Sequence, residues 1–141
     1  MSQLKNPAHG ALVLRLALGV MMVAHGWLKV SVFTVAGTVG FFESVGFPGW
    51  LAYVTIAAEL GGGLALITGL YTRWVALAII PILLGAASVH WGNGWVFSNA
   101  NGGWEYPVFL AAAALAQVFL GSGSYALTFN RNRGLHVAHA V

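Results

Sequence analysis

The chain has 141 residues, of which 59% are hydrophobic and 6% charged, and its mean hydropathy is +0.81. A soluble domain solvates its surface with roughly 25% charged residues, so this composition excludes a water-soluble globule and calls for apolar surface facing lipid. The formal net charge of +3 comes from dispersed basic residues, which speaks against a nucleic-acid partner and reads as the loop bias of a membrane protein.

One crossing needs about 20 apolar residues, because a helix rises ~1.5 Å per residue through a hydrocarbon core of ~30 Å. Four crossings use up the chain, and the reading is an all-α membrane protein, a four-transmembrane-helix bundle forming a single domain over residues 1–141. Span 1 covers about 8–30, with Arg15, His25 and Lys29 inside or near its ends. No small-residue cleavage site follows it, so no cleaved signal peptide is expected. The segment Ser31 to Phe47 is too polar and glycine-rich to cross. Val35, Val39 and Phe42 recur there at helical spacing, with Thr34 placed to cap the start and Gly46 to stop the end, which predicts a short amphipathic helix at the interface. Span 2, about 49–70, opens with Pro48-Gly49-Trp50 and carries Glu59. A tight turn at Tyr71-Thr72-Arg73 leads to span 3, about 74–90, which Pro81 is expected to kink. A loop from Trp91 to Trp104, without Lys or Arg, precedes span 4 at about 105–120, and a tail covers 121–141.

Lys5, Arg73, Arg131 and Arg133 fall on one side of such a bundle, so the positive-inside rule puts both termini in the cytoplasm. Trp50, Trp91, Trp95, Trp104 and Tyr106 then form an aromatic belt at the outer interface. Close helix packing is expected at the small pairs Ala57/Gly61 and Ala58/Gly62. No internal repeat is visible. The chain contains no cysteine, which excludes disulfides, thiol catalysis and cysteine-ligated iron–sulfur or haem groups.

An ionisable group inside a bilayer is expensive and needs a partner or a purpose. Arg15, Gly19, Met22, Gly26 and Lys29 fall near one line of span 1, so that helix turns a polar, glycine-lined face inward. Glu59 lies close to the midplane of span 2. One reading pairs it with Arg15 as a structural ion pair, and the other makes it a proton relay or a ligand to quinone or metal. A second group gathers at the outer face: His25, Lys29 and His90 at span ends, Glu105 and Tyr106 opening span 4, and Asn93 and Asn101 in the loop above. A histidine there can donate to a quinone carbonyl or ligate haem between His25 and His90, and a carboxylate such as Glu105 can take a proton. The alternative is a satisfied interfacial cluster in which Lys29 snorkels to the headgroups. His136 and His139 read as solvated tail, and no metal site is expected.

Several blocks in order give these residues a family resemblance. They are Arg15-Leu16-Ala17-Leu18-Gly19, His25-Gly26 with Lys29, Phe41-Phe42-Glu43 to Gly46-Phe47-Pro48, and Ala58-Glu59-Leu60-Gly61-Gly62-Gly63. Gly69-Leu70 with Thr72-Arg73 follows, then His90-Trp91 with Asn93-Gly94, Gly102-Gly103-Trp104-Glu105-Tyr106-Pro107, and a closing Gly121, Gly123 and Tyr125. Over about Val13 to Leu127 the chain resembles the DoxX family of bacterial inner-membrane proteins. The resemblance implies a four-helix membrane bundle and a loose link to redox chemistry, a related branch being the DoxD subunit of a thiosulfate:quinone oxidoreductase. Two departures are Val30-Ser31-Val32-Phe33 in place of a glycine- and aromatic-rich segment, and Ser122 and Ala126 where Pro and Ser would stand. The expected role is a subunit of a quinone-linked membrane oxidoreductase, with quinone as cofactor and other redox subunits and the lipid bilayer as partners. A non-catalytic accessory subunit and a small transporter coupled through Glu59 are the competing readings.

Overall fold

The computed structural model describes residues 7–130 and 134–138. Five α-helices occur in the order α1 (Pro7–Ser31), α2 (Val35–Ser44), α3 (Trp50–Thr68), α4 (Thr72–His90) and α5 (Glu105–Leu120). A short 3-10 turn, Trp91–Asn93, extends α4, and a hairpin of β1 (Ala126–Asn130) and β2 (Gly134–Ala138) follows α5. Three helices are long and apolar enough to cross a membrane: α1, α3, and α4 together with its 3-10 extension. With 16 residues, α5 is about 24 Å long and falls short of a ~30 Å hydrocarbon core.

Local chemistry sets the element ends. The Thr34 hydroxyl accepts from the Gly37 amide at 3.1 Å and caps α2, and Gly46, at φ +87°, turns the chain out of it. α2 is half exposed, with only Thr38 buried; its hydroxyl donates to the Lys29 and Thr34 carbonyls at 3.2 and 2.9 Å, tying α2 to the end of α1. Gly69, at φ +85°, ends α3 in the left-handed region, where its amide and that of Leu70 both reach the Ala65 carbonyl at 2.9 Å. Thr72 and Arg73 belong to α4 rather than to a turn, and the reversal falls on Gly69, Leu70 and Tyr71, with Tyr71 at φ 47°. The helix runs through Pro81, which removes one donor and leaves the Leu77 carbonyl without its intrahelical bond.

Helices α1 and α3 lie closest. A Cβ on Gly19 would stand 2.8 Å from the Gly63 carbonyl oxygen, and one on Gly63 would stand 2.8 Å from that of Gly19. Gly26 meets Leu60 and the Glu59 Cβ in the same way. The packing expected at Ala57/Gly61 is absent: both are exposed, and nothing lies within 4 Å of a Cβ built on Gly61. Ala58 and Gly62 are half buried, with Gly62 in ordinary contact with Val75 and Ile79 of α4. The core between α1, α3, α4 and α5 is apolar, built from Leu18, Met22, Leu66, Ile79, Leu83 and Leu110 around Ala76, Ala111 and Ala114. Part of the segment expected as solvated tail is the hairpin, and His136 lies in β2; Lys5, Arg131, Arg133 and His139 lie outside the described residues.

Candidate functional site

The inward stripe of α1 is real: Arg15, Gly19, Met22 and Gly26 are buried on it. Its charged ends do not share a partner. Lys29 Nζ donates to Glu59 Oε1 at 2.7 Å, with the two side chains 20% and 8% exposed. The expected Arg15–Glu59 pair is not formed. Gly26 sits against Glu59, and Arg15 sits against Gly69. The ten residues from Glu59 to Gly69 span about 15 Å of helix axis, so the close α1–α3 register carries Arg15 out of reach and brings Lys29 within it. Arg15 instead donates through Nη2 to the carbonyls of Ser124 and Tyr125, at 3.2 and 3.4 Å.

One turn before Lys29 on α1, His25 donates through Nδ1 to its own helix, the Met21 carbonyl at 2.8 Å. A carbonyl can only accept, so Nδ1 carries the proton and Nε2 is the basic nitrogen of the neutral ring. The ring stacks on Tyr106 of α5 at a centroid distance of 5.9 Å. Two polar atoms at this level are enclosed without a hydrogen bond: Glu59 Oε2 and the Tyr106 hydroxyl. Each is costly to bury unpaired and is open to a bridging water or a ligand. A shallow apolar recess of about 460 Å³ runs along α5 beside the Tyr106 ring, lined also by Trp95, Phe97, Glu105, Val108, Phe109 and Ala112.

The outer group divides in two. His25, Lys29, Glu59 and Tyr106 form the inner part. His90, Asn93, Asn101 and Glu105 instead hold the loop. His90 Nδ1 donates to the Asn101 carbonyl at 2.9 Å, and Asn93 Nδ2 donates to the same oxygen at 3.1 Å. Glu105 Oε1 accepts from the Phe97 amide at 2.9 Å. Trp104 stacks on Trp91 at 4.4 Å and meets Trp95 edge-on at 4.5 Å, so three of the belt tryptophans form one cluster. No hydrogen bond or ion pair joins the two parts among the described residues, and none of these holds a group of three His, Asp or Glu arranged for a metal.

Sequence reading passed over Gln117, which is fully buried in α5 and donates to the Gly121 carbonyl at 2.6 Å. Its signal was present, since it is the one amide side chain in an otherwise apolar run from Pro107 to Leu120. Ser124, buried beneath Arg15, had none.

Fold and site together define a polytopic membrane protein with, among the described residues, one buried ion pair, and with a tryptophan cluster at one end of the bundle. The DoxX family pattern matches residues 10–91, more than half of the chain, and the chain belongs to the DoxX family. It is 40% identical over 77 residues, 55% of this chain and 56% of the relative, to a Bacillus subtilis (strain 168) protein named "Putative oxidoreductase CatD". It is 38% identical over 68 residues, 48% of this chain and 51% of the relative, to "Inner membrane protein YqjF" of Escherichia coli (strain K12). The matches thus cover about half the length of these relatives. No solved structure matches the chain. With three helices able to span, the protein is a multi-pass protein of the bacterial inner membrane.

Proposed function

We propose that this chain is a subunit of a membrane-bound, quinone-linked oxidoreductase system, and that His25, Lys29, Glu59 and Tyr106 are its proton- and ligand-handling residues. One observation carries the reading: a buried Lys29–Glu59 pair at 2.7 Å stands one turn along α1 from the stacked His25–Tyr106 rings, with Glu59 Oε2 and the Tyr106 hydroxyl enclosed and unpartnered. Quinone carbonyls accept hydrogen bonds, and Tyr106 and Lys29 are donors, so the residues fit such a headgroup. Bound there, a quinone would supply the two-electron, two-proton chemistry that none of these side chains carries. The part of this chain is to hold the headgroup and to accept or return protons at Glu59 and at His25 Nε2. The name of the Bacillus relative supports a redox role. The electrons come from a partner subunit in this account, because the chain has no cysteine for a cluster.

The account includes α5 as a fourth crossing, with both termini cytoplasmic. His90, Asn93 and Glu105, which brace the outer loop, act in it as positioning residues. Their occupation by the loop is also what favours the second reading, a non-catalytic accessory subunit of a larger membrane complex. The transporter reading is weaker, since the sequence shows no internal repeat and four spans are few for a transporter. The test is quinone reduction in membranes lacking the native protein and complemented with Glu59→Gln or Tyr106→Phe, normalised to assembled protein. Both variants are expected to assemble and to lose most of the rate. A full rate from Glu59→Gln at wild-type protein levels would exclude a proton-handling role.

A further inference from the structure

The hairpin after α5 has two chemically different faces. Its antiparallel register sets Leu127 opposite Val137 and Phe129 opposite Leu135, with the polar positions Thr128 and His136 paired between them. Alternate strand residues share a face, so Leu127, Leu135 and Val137 lie on one side. The bundle does not cover that side, for Leu135 and Val137 are 56% and 44% exposed. A lone two-stranded hairpin is marginal in water and needs an apolar support.

Its root is firmly fixed. The Ser124 amide donates to the Ala8 carbonyl at 3.0 Å, Arg15 holds the Ser124 and Tyr125 carbonyls, and Ala126 packs against Gly69. Arg73 lies against Gly121, so the start of α4, the end of α5 and the hairpin share one end of the bundle. Tyr71 and Trp74, 67% and 72% exposed, mark that end as an interface, where such rings collect. Its charge is one-sided. Arg73 is exposed there, the sequence between the strands reads Arg131-Asn132-Arg133, and no Asp or Glu follows Glu105.

We propose that the hairpin lies on the surface of the same bilayer, its Leu127–Leu135–Val137 face against the acyl-chain boundary, held there by anionic headgroups. Basic residues close to a bilayer surface attract anionic lipid, and the attraction is screened by salt. A second copy of the chain suits the face less well, because three aliphatic side chains are far short of the ~1,000 Å² that a stable protein interface requires.

The cysteine-free chain allows a direct test. Full-length Leu135→Cys and Val137→Cys proteins, each labelled with a polarity-sensitive fluorophore, are reconstituted into vesicles of phosphatidylcholine with or without phosphatidylglycerol. Both positions are exposed, so the fold tolerates the label. With phosphatidylglycerol, emission is expected to shift blue and to be quenched several times more strongly by a nitroxide near the lipid headgroup than by aqueous iodide, and high salt should weaken both effects. Water-like emission with iodide quenching would overturn the proposal. Equal lipid quenching in the two vesicles would overturn its anionic part, and protection from both quenchers would assign the face to a second copy.

Discussion

At the scale of single residues, the outcome turns on which cation meets Glu59. Spacing along one helix identified the stripe that contains both Arg15 and Lys29, but the choice between them depends on the register of α1 against α3, which the Gly19–Gly63 approach sets. That register is a property of two backbones and is hidden in either helix alone. The buried pair is asymmetric. Losing Lys29 strands Glu59, whose side chain is 8% exposed, and removing one partner of a buried pair costs about 3–5 kcal/mol. Losing Glu59 strands a lysine that can extend its stem toward the headgroups. Lys29→Met is therefore expected to lower the melting temperature in detergent more than Glu59→Gln does, with the double variant recovering part of the loss. Equal losses would show that the pair is less buried than the geometry states.

At the scale of elements, the helices and the ends of α2 were readable because hydropathy, the Thr34 cap and the Gly46 stop are local signals, whereas the turn expected at Tyr71-Thr72-Arg73 falls at Gly69 to Tyr71. The faces of α3 were less so. Gly61, Gly62 and Gly63 are consecutive, yet Gly63 meets α1, Gly62 meets α4 and Gly61 meets nothing, so spacing alone found one packing pair, passed over Gly63 and misplaced Ala57/Gly61. Gly63→Ala and Gly19→Ala are expected to destabilise strongly, since each Cβ meets backbone. Gly61→Ala has open space and should be neutral or gain about 0.5–1 kcal/mol; the thermal shifts of the three variants check both statements. Thr34 holds φ 61° and ψ 156°, a region essentially reserved for glycine and costing about 1–3 kcal/mol. Glycine loses only a few tenths as a cap, so Thr34→Gly should raise the melting temperature, and a fall would mean that its hydroxyl matters more than the strain. The hairpin was legible too, in the alternation Leu127-Thr128-Phe129 and Leu135-His136-Val137 on either side of Arg131-Asn132-Arg133.

At the scale of the whole molecule, charge and aromatic placement decide how the bundle sits in the bilayer. If α5 crosses with α1, α3 and α4, the tryptophan cluster before it and Ser122 after it face opposite compartments. A single cysteine at Trp95 should then react with an impermeant maleimide from outside intact cells, and one at Ser122 only after permeabilisation. Labelling of both from outside would remove the fourth crossing. The polar inventory was written in the sequence, but its division into a buried part around Glu59 and a loop brace around His90 and Glu105 depends on where α5 docks, which no local pattern encodes.

The central claim is that this bundle handles protons or quinone for a redox partner that brings the electrons. Its most direct test is purification of the tagged protein from native membranes in mild detergent, with mass spectrometry of what accompanies it and an absorption spectrum of the product. The account predicts a larger assembly containing a dehydrogenase, cytochrome or other cofactor-bearing subunit, with the corresponding absorption bands. A colourless homo-oligomer without partners would contradict it.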